Sequence, residues 1–120
     1  MAIHTEMREE VFIVSPSGEF SKTIAAEMRE LLSAALDDGV IKMVFDFTGL
    51  SRISSDGLRV ILESIKKLRN LNGRVAIVGL GDRVRAVFEV GGFFTLLDEF
   101  DTIEQAIESV NQISDAPTGK

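Results

Sequence analysis

Two adjacent serines, followed by an acid and a glycine, are the residues of this chain best placed to carry chemistry. They form the segment Ile-Ser-Ser-Asp-Gly-Leu at residues 53–58, between a predicted strand and an amphipathic helix. Ser54 is a natural N-cap for that helix, and Asp56 in its first turn suits the positive end of the helix dipole. Ser55 then has no structural duty, and a hydroxyl at a helix start is accessible to a kinase. The segment predicts either a plain capped turn or a phosphorylation site at Ser55.

A phosphate on Ser55 would change the charge of this surface without breaking the fold. It would add about −1.5 to −2 charges. The first N–H groups of a helix lack internal partners and carry partial positive charge, so they tolerate an anion. The surface that a partner touches would nevertheless change sign, and the neighbouring Asp56 would add to the repulsion. If Ser55 is the phosphorylation site, the predicted chemistry is regulated docking; if it is not, the segment is a plain capped turn.

The residues that common enzyme sites require are missing. His4 is the single histidine and there is no cysteine, so neither a Ser-His-Asp triad nor a common zinc site can be assembled. The motif Gly-Leu-Gly at residues 79–81 follows a predicted strand, but Val84 occupies the place of the third glycine of a dinucleotide fingerprint. A tight turn with Asp82 as N-cap is favoured there, and a nucleotide-binding enzyme is the weakest alternative. We predict no catalytic residue, no metal and no cofactor.

The composition fits one globular domain, with 120 residues of which 45% are hydrophobic and 27% charged. The net charge of −6 repels phosphate backbones, which argues against nucleic acid as a partner. No apolar run approaches the roughly 20 residues needed to span a bilayer, and the N-terminus lacks the pattern of a signal peptide. We expect a cytoplasmic protein without direct membrane insertion, either a monomer or a weak dimer.

Strands alternate with amphipathic helices along the chain. Hydrophobic periodicity predicts strands near residues 3–7, 11–14, 41–47, 75–78 and 93–97, and four helices after residues 22, 57, 81 and 102. Turns are predicted at residues 15–18 and 48–50, and Thr102 with Gln105 has the spacing of a capping box. The order indicates the α/β class, with a mixed, mostly parallel sheet of four to five strands and about four helices. Residues 1–113 are expected to form one domain, and residues 114–120 a flexible C-terminal tail.

Several of these motifs together resemble the STAS domain family, the sulfate-transporter and anti-sigma-factor-antagonist group. Residues 17–20 (Ser-Gly-Glu-Phe) are similar to the family's glycine-containing turn before its first helix, and residues 45–50 (Phe-Asp-Phe-Thr-Gly-Leu) to its strand exit. Residues 53–58 stand where the family carries a serine motif ending in Gly-Leu, and residues 72–75 followed by 84–92 complete the pattern. The resemblance covers residues 8–112 and implies a single STAS-like α/β domain.

The resemblance also implies an anti-sigma factor antagonist that works by partner switching. In such antagonists an anti-sigma factor with serine kinase activity binds the antagonist and phosphorylates it, and a phosphatase reverses the switch. By position, Ser55 is the implied phosphoacceptor, with Ser54 as the alternative. The implied partner-binding residues are Ser21, Ser54, Ser55, Asp56, Gly57 and Arg59.

Three residues depart from the family's pattern. Ser54 stands where an acid often precedes the acceptor, Asp56 where a small or hydroxylic residue follows it, and Ser21 where an acid commonly follows the first turn. Asp56 carries a permanent charge, which fits a surface that does not switch. The second hypothesis is therefore a STAS accessory subunit that docks constitutively on the ATPase of a membrane transporter complex.

Overall fold

The chain folds around one mixed β-sheet that is covered by helices on both faces. The computed structural model describes residues 2–112. The strands are β1 (Ala2–Arg8), β2 (Val11–Phe20), β3 (Lys42–Asp46), β4 (Leu50–Ile53), β5 (Arg74–Val78) and β6 (Asp98–Phe100). The helices are α1 (Lys22–Asp37), α2 (Ser55–Asn70), α3 (Asp82–Val90) and α4 (Ile103–Asn111), with a short 3-10 helix at Phe93–Thr95.

The sheet has the strand order β1-β2-β3-β5-β6, and β4 pairs with the end of β2. β1 runs antiparallel to β2, whereas every other pair is parallel. The hairpin between β1 and β2 turns through Glu9 and Glu10, which both have positive φ, at 53° and 69°. Positive φ at both central residues is the requirement of a type I′ turn, whose twist matches that of the flanking strands.

Alternating side chains give the sheet two apolar faces and the domain two cores. The larger core joins Val14, Met43, Phe45 and Ile77 to helices α1, α2 and α3. The smaller core joins Val11, Ile13, Val44, Ala76 and Val78 to Ala106, Ile107 and Val110 of α4. Successive residues of a strand point to opposite faces, so β2, β3 and β5 are apolar on both sides as central parallel strands usually are.

A ladder of phenylalanine rings crosses the larger core. Phe20 contacts Phe47 edge-on at a centroid distance of 6.5 Å, and Phe47 contacts Phe88 in the same way at 6.1 Å. Phe88 then lies 4.7 Å from Phe93 of the 3-10 helix. The ladder connects the end of β2 with the segment that follows α3.

The predicted α/β class, with a mixed, mostly parallel sheet and four helices, is confirmed, but the sheet has six strands. The added strand is β4, which begins at Leu50 where a turn is predicted. The predicted turn at residues 15–18 is also wrong, because β2 continues to Phe20. Pro16 is tolerated because it falls between the segments of β2 that pair with β3 and with β4, where no ladder donor is needed.

Two predicted boundaries near α3 are corrected as well. The N-cap is Gly81, and Asp82 is the first helical residue. The strand predicted at residues 93–97 is a 3-10 helix followed by β6, since buried Phe93 and Leu97 are spaced four residues apart and do not alternate.

The predicted capping box of Thr102 and Gln105 at the start of α4 is confirmed. The predicted tail at residues 114–120 lies outside the described residues.

Candidate functional site

The paired ends of β2 and β4 bring two helix N-termini together. Phe20 lies opposite Ile53 in the β2–β4 register, and the Ser54 N–H donates to the Phe20 carbonyl at 2.9 Å. The next residue of each strand, Ser21 and Ser54, is the N-cap of the helix that follows. Helices α1 and α2 therefore begin side by side at the carboxyl end of the sheet, where open α/β sheets present their sites.

The hydroxyl of Ser54 is engaged in capping. Its Oγ accepts from the Gly57 N–H at 3.0 Å, and its carbonyl accepts from the Leu58 N–H at 3.0 Å. Ser21 makes the corresponding bond to the Ile24 N–H at 3.4 Å. The sequence-based assignment of Ser54 as N-cap is confirmed. Both serines are half-buried, so their hydroxyls act within the fold.

Ser55 is the first residue of α2, and its side chain is exposed. Within residues 2–112 its hydroxyl makes no hydrogen bond, in contrast to that of Ser54. The adjacent Asp56 is half-buried in the first turn, and the exposed Arg59 lies one helical turn beyond Ser55. The accessible hydroxyl is thus followed along α2 by an acid and, one turn later, by a cation. Phosphorylation of Ser55 stays a prediction.

Gly57 sets how closely α2 approaches the sheet. A Cβ at this position would lie 2.7 Å from Cδ1 of Phe20 and 3.0 Å from Cγ1 of Ile53. Phe20 is fully buried, so its ring has little space to move aside. The glycine of the serine motif is therefore a packing residue, and it fixes the position at which Ser55 reaches the surface.

A second layer of contacts supports the β3–β4 connection and β4, which lead into α2, and sequence reasoning missed it. Oδ1 of Asp46 accepts from the Thr48 backbone N–H at 3.0 Å and from the Thr48 hydroxyl at 2.6 Å. Thr48 packs on Gly79, where a Cβ would lie 2.2 Å from the Thr48 Oγ1. The Ser51 hydroxyl donates to the Gly18 carbonyl at 3.0 Å. The Asp-x-Thr spacing after a strand was the available signal, since Asp and Thr both favour such local turns.

The contact with Thr48 also explains the Gly-Leu-Gly motif at residues 79–81. Gly79 has a φ of 80° and lies against the backbone of Thr48, whose N would be 2.7 Å from an added Cβ. The space beside this glycine is occupied by the protein itself. The motif is thus a tight turn, as the sequence favoured, although Asp82 is not its N-cap.

Arg85 ties α3 to the short edge strand β6. Its guanidinium donates to both carboxylate oxygens of Glu99 and also to the Leu80 carbonyl, the latter at 3.2 Å. The hydrogen bond with Glu99 raises the pKa of Arg85 above its ordinary value. This fork-like pair, together with the bond to the Leu80 carbonyl, holds the loop after β5 in place.

Within residues 2–112, no group of three or more His, Asp or Glu side chains is placed to hold a metal ion. Across the same part of the chain, no helix has the length and apolar character needed to cross a membrane. The features brought together at the carboxyl end of the sheet are hydroxyls, charges and helix ends. Such a surface can dock another protein and can accept a phosphoryl group on Ser55.

The chain belongs to the STAS domain family, whose model matches residues 2–106. The resemblance seen in the sequence is thereby confirmed. Among relatives, BtrV of Bordetella bronchiseptica, a candidate anti-sigma factor antagonist, is 33% identical over 96 residues, which span 80% of this chain and 83% of BtrV. The anti-sigma-B factor antagonist of Staphylococcus aureus is 25% identical over 95 residues, spanning 79% of this chain and 88% of the relative.

The fold is also similar to that of SpoIIAA, an anti-sigma factor antagonist. The unphosphorylated form superposes with a TM-score of 0.78 at 26% identity, covering 93% of this chain and all of SpoIIAA (100%). The phosphorylated form, described as a Bacillus cell fate determinant, superposes with a TM-score of 0.76 at 25% identity, covering 92% of this chain and 100% of the other.

Proposed function

We propose that this chain is an anti-sigma factor antagonist that binds an anti-sigma factor with serine kinase activity and is controlled by phosphorylation of Ser55. The observation that carries the proposal is the exposed Ser55 hydroxyl, which has no hydrogen-bond partner among the described residues. The similarity to antagonists, one of them solved with and without phosphate, supports the same role.

Ser55 is favoured over Ser54 as the phosphorylation site because the two hydroxyls have different structural roles. The Ser54 Oγ accepts from the Gly57 N–H at 3.0 Å, so transfer of a phosphoryl group to it would disturb the cap. Loss of an N-cap costs about 1 kcal/mol, which a kinase acting on Ser54 would have to overcome. A phosphate on Ser55 leaves the cap intact and is favourable next to the positive end of α2.

The proposed switch is electrostatic. Before phosphorylation, the first turn of α2 presents the acid Asp56, and the exposed Arg59 follows one turn after Ser55. A phosphate would add about −1.5 to −2 charges beside Asp56. Like charges brought into a docked surface are repulsive and cost affinity, so a partner that accepts Asp56 alone would be released. A phosphatase would restore the binding form.

The test is phosphate transfer from the cognate kinase. The chain is used as bait in its own host to obtain a kinase-like ATPase, and the purified pair is incubated with ATP. Mass spectrometry of wild type, Ser55→Ala and Ser54→Ala then locates the phosphate. We expect one phosphate on wild type and on Ser54→Ala, and none on Ser55→Ala.

A matched control separates loss of the acceptor from loss of structure. Ser55→Ala should keep the wild-type unfolding midpoint, because the hydroxyl makes no contact that the fold uses. It should also still bind the unmodified kinase. If neither Ser55 nor Ser54 of the wild-type chain carries phosphate after incubation with a bound, active kinase, the proposed switch is wrong.

The constitutive accessory subunit is the second candidate, and Asp56 is the observation that favours it. A permanent acid in the first turn of α2 places negative charge on the surface in every state. Co-purification distinguishes the two functions. A transporter ATPase retained by both wild type and Ser55→Glu would support the accessory role, whereas a kinase released by Ser55→Glu would support the switch.

A further inference from the structure

The outer edge of β1 is the feature that the proposed function leaves unused. β1 is the first strand in the sheet order and pairs only with β2 among the described strands. It is seven residues long and contains neither lysine nor proline, which commonly protect such edges from pairing. Met7 on this strand is 57% exposed, one of the large apolar side chains that the fold leaves open to solvent.

The hairpin determines which backbone groups of β1 point outward. In a two-residue hairpin loop the flanking pair, here Arg8 and Val11, exchanges both hydrogen bonds. Bonded and non-bonded pairs alternate along an antiparallel ladder, so Ile3, Thr5 and Met7 direct their N–H and C=O groups away from β2. Pro16, which has no N–H, lies opposite Ile3, as this pattern requires.

The outward edge is complementary to itself in one antiparallel register. If Thr5 of one copy lies opposite Thr5 of another, the outward groups of Ile3 meet those of Met7, and those of Thr5 meet each other. All the outward donors and acceptors of these residues are then paired. In the same register His4 lies opposite Glu6, in the non-bonded pairs whose side chains are closest.

Charge and hydrophobicity agree with this register. His4 is exposed and Glu6 is half-buried on one face of the sheet, so each cross-strand pair places a histidine beside a carboxylate. On the other face the exposed Met7 meets Ile3, which already packs against the larger core. A one-residue slip would break both matches and would direct the bonding groups to the wrong positions.

We propose that two copies of this chain associate through β1, antiparallel and centred on Thr5, to form one continuous sheet. The candidate docking site stays free in this dimer. The Gly18 N–H donates to the Gly49 carbonyl, and the Ser54 N–H to the Phe20 carbonyl, so the end of β2 directs its groups toward β4. By the same alternation, that edge of β2 is opposite to the one that β1 covers.

Cysteine cross-linking tests the register directly, because the chain has no cysteine of its own. In the proposed dimer the two Thr5 Cα atoms lie about 5.5 Å apart, within disulfide range. The two Met7 residues are separated by four residues along the strands, about 13 Å. We expect Thr5→Cys to form a disulfide-linked dimer under mild oxidation, and Met7→Cys to form little.

Comparing the cross-linking of the two variants separates the proposed pairing from random collision. Random collision would favour the more exposed position, Met7, over the half-buried Thr5. Faster cross-linking of Met7→Cys than of Thr5→Cys would overturn the register. Sedimentation of the wild-type chain should show a mass that rises toward twice that of the monomer with concentration. A monomer at every concentration, together with no Thr5→Cys cross-link, would overturn the dimer itself.

A proline substitution gives an independent check. The Thr5 N–H points outward, so Thr5→Pro removes no hydrogen bond within the monomer, whereas it removes a bond at the centre of the proposed interface. We expect Thr5→Pro to sediment as a monomer with wild-type circular dichroism, and Thr5→Val to dimerise like wild type. Dimerisation of a folded Thr5→Pro variant would contradict pairing through β1.

Discussion

Helices α1 and α2 begin side by side with the same serine N-cap, yet their first turns differ at every following position. α1 continues from Ser21 with Lys-Thr-Ile, and α2 continues from Ser54 with Ser-Asp-Gly. The shared serine satisfies a helix N–H in both cases, so its role is structural. The residues that differ therefore carry what is specific to α2, namely an accessible hydroxyl, an acid and close packing on the sheet.

The third helical position shows how packing makes the two turns unequal. Ile24 of α1 packs its side chain against the larger core. The equivalent residue of α2 is Gly57, because Phe20 and Ile53 occupy the space where a side chain would lie. α2 can approach the sheet closely because it has no side chain at this point.

The largest expected effect on stability comes from Gly57→Ala, which adds a side chain at the third helical position of α2. Alanine in place of glycine usually stabilises a helix by about 1 kcal/mol. Here the added Cβ lies 2.7 Å from Cδ1 of Phe20, and overpacking in a buried site costs about 1 to 3 kcal/mol. We expect a net loss of about 1 kcal/mol in the free energy of unfolding, measured by urea titration.

The matched control for this variant is a double-mutant cycle with Phe20→Leu. If the clash with the ring is the cause, Gly57→Ala should cost less in the Phe20→Leu background than in wild type. Equal costs in both backgrounds would show that the close approach of α2 does not depend on Phe20.

The capping serines give an effect of comparable size for Ser54 and a smaller one for Ser21. Ser54→Ala should lower the free energy of unfolding by about 1 kcal/mol, because the Gly57 N–H loses its acceptor. Ser21→Ala should cost about half of that, since its bond to the Ile24 N–H is longer, 3.4 Å against 3.0 Å. Ser54→Asp, which keeps a capping oxygen, is the control that should restore stability. A larger loss for Ser21→Ala than for Ser54→Ala would reverse the comparison.

Charge substitutions at the first helical position should have the smallest effect on stability. Lys22→Glu replaces a cation with an anion at the positive end of α1 and should stabilise by about 0.5 kcal/mol. Ser55→Glu should gain only about 0.3 kcal/mol, because Asp56 already lies in that turn. Both gains should shrink at high salt, as thermal or urea unfolding at two ionic strengths would show.

The same pair of variants separates stability from function. Ser55→Glu should weaken binding of the anti-sigma factor kinase, whereas Lys22→Glu should leave it nearly unchanged. Lys22→Glu changes the net charge by −2 and Ser55→Glu by −1, so weakening by Lys22→Glu as large as or larger than that by Ser55→Glu would indicate that total charge, and not the position on α2, controls docking. Titration calorimetry with the purified kinase measures the two affinities.

Local signals in the sequence predicted the parts of the site that depend on neighbouring residues. The Ser54 N-cap and the capping box at Thr102 were predicted because each bond joins residues three apart. β4 was not predicted, since its short segment is a strand only through pairing with the distant end of β2. The packing of Gly79 against Thr48 was missed for the same reason, because the two residues come into contact only after the sheet has formed.

The ladder of phenylalanine rings provides an intrinsic spectroscopic probe of the larger core. The chain has eight phenylalanines and neither tryptophan nor tyrosine, so its near-ultraviolet dichroism comes from phenylalanine alone. The rings held in fixed mutual orientation, from Phe20 through Phe47 and Phe88 to Phe93, should dominate that signal. Any rearrangement beneath the first turn of α2 would then appear as a change in vibronic fine structure, with no label attached.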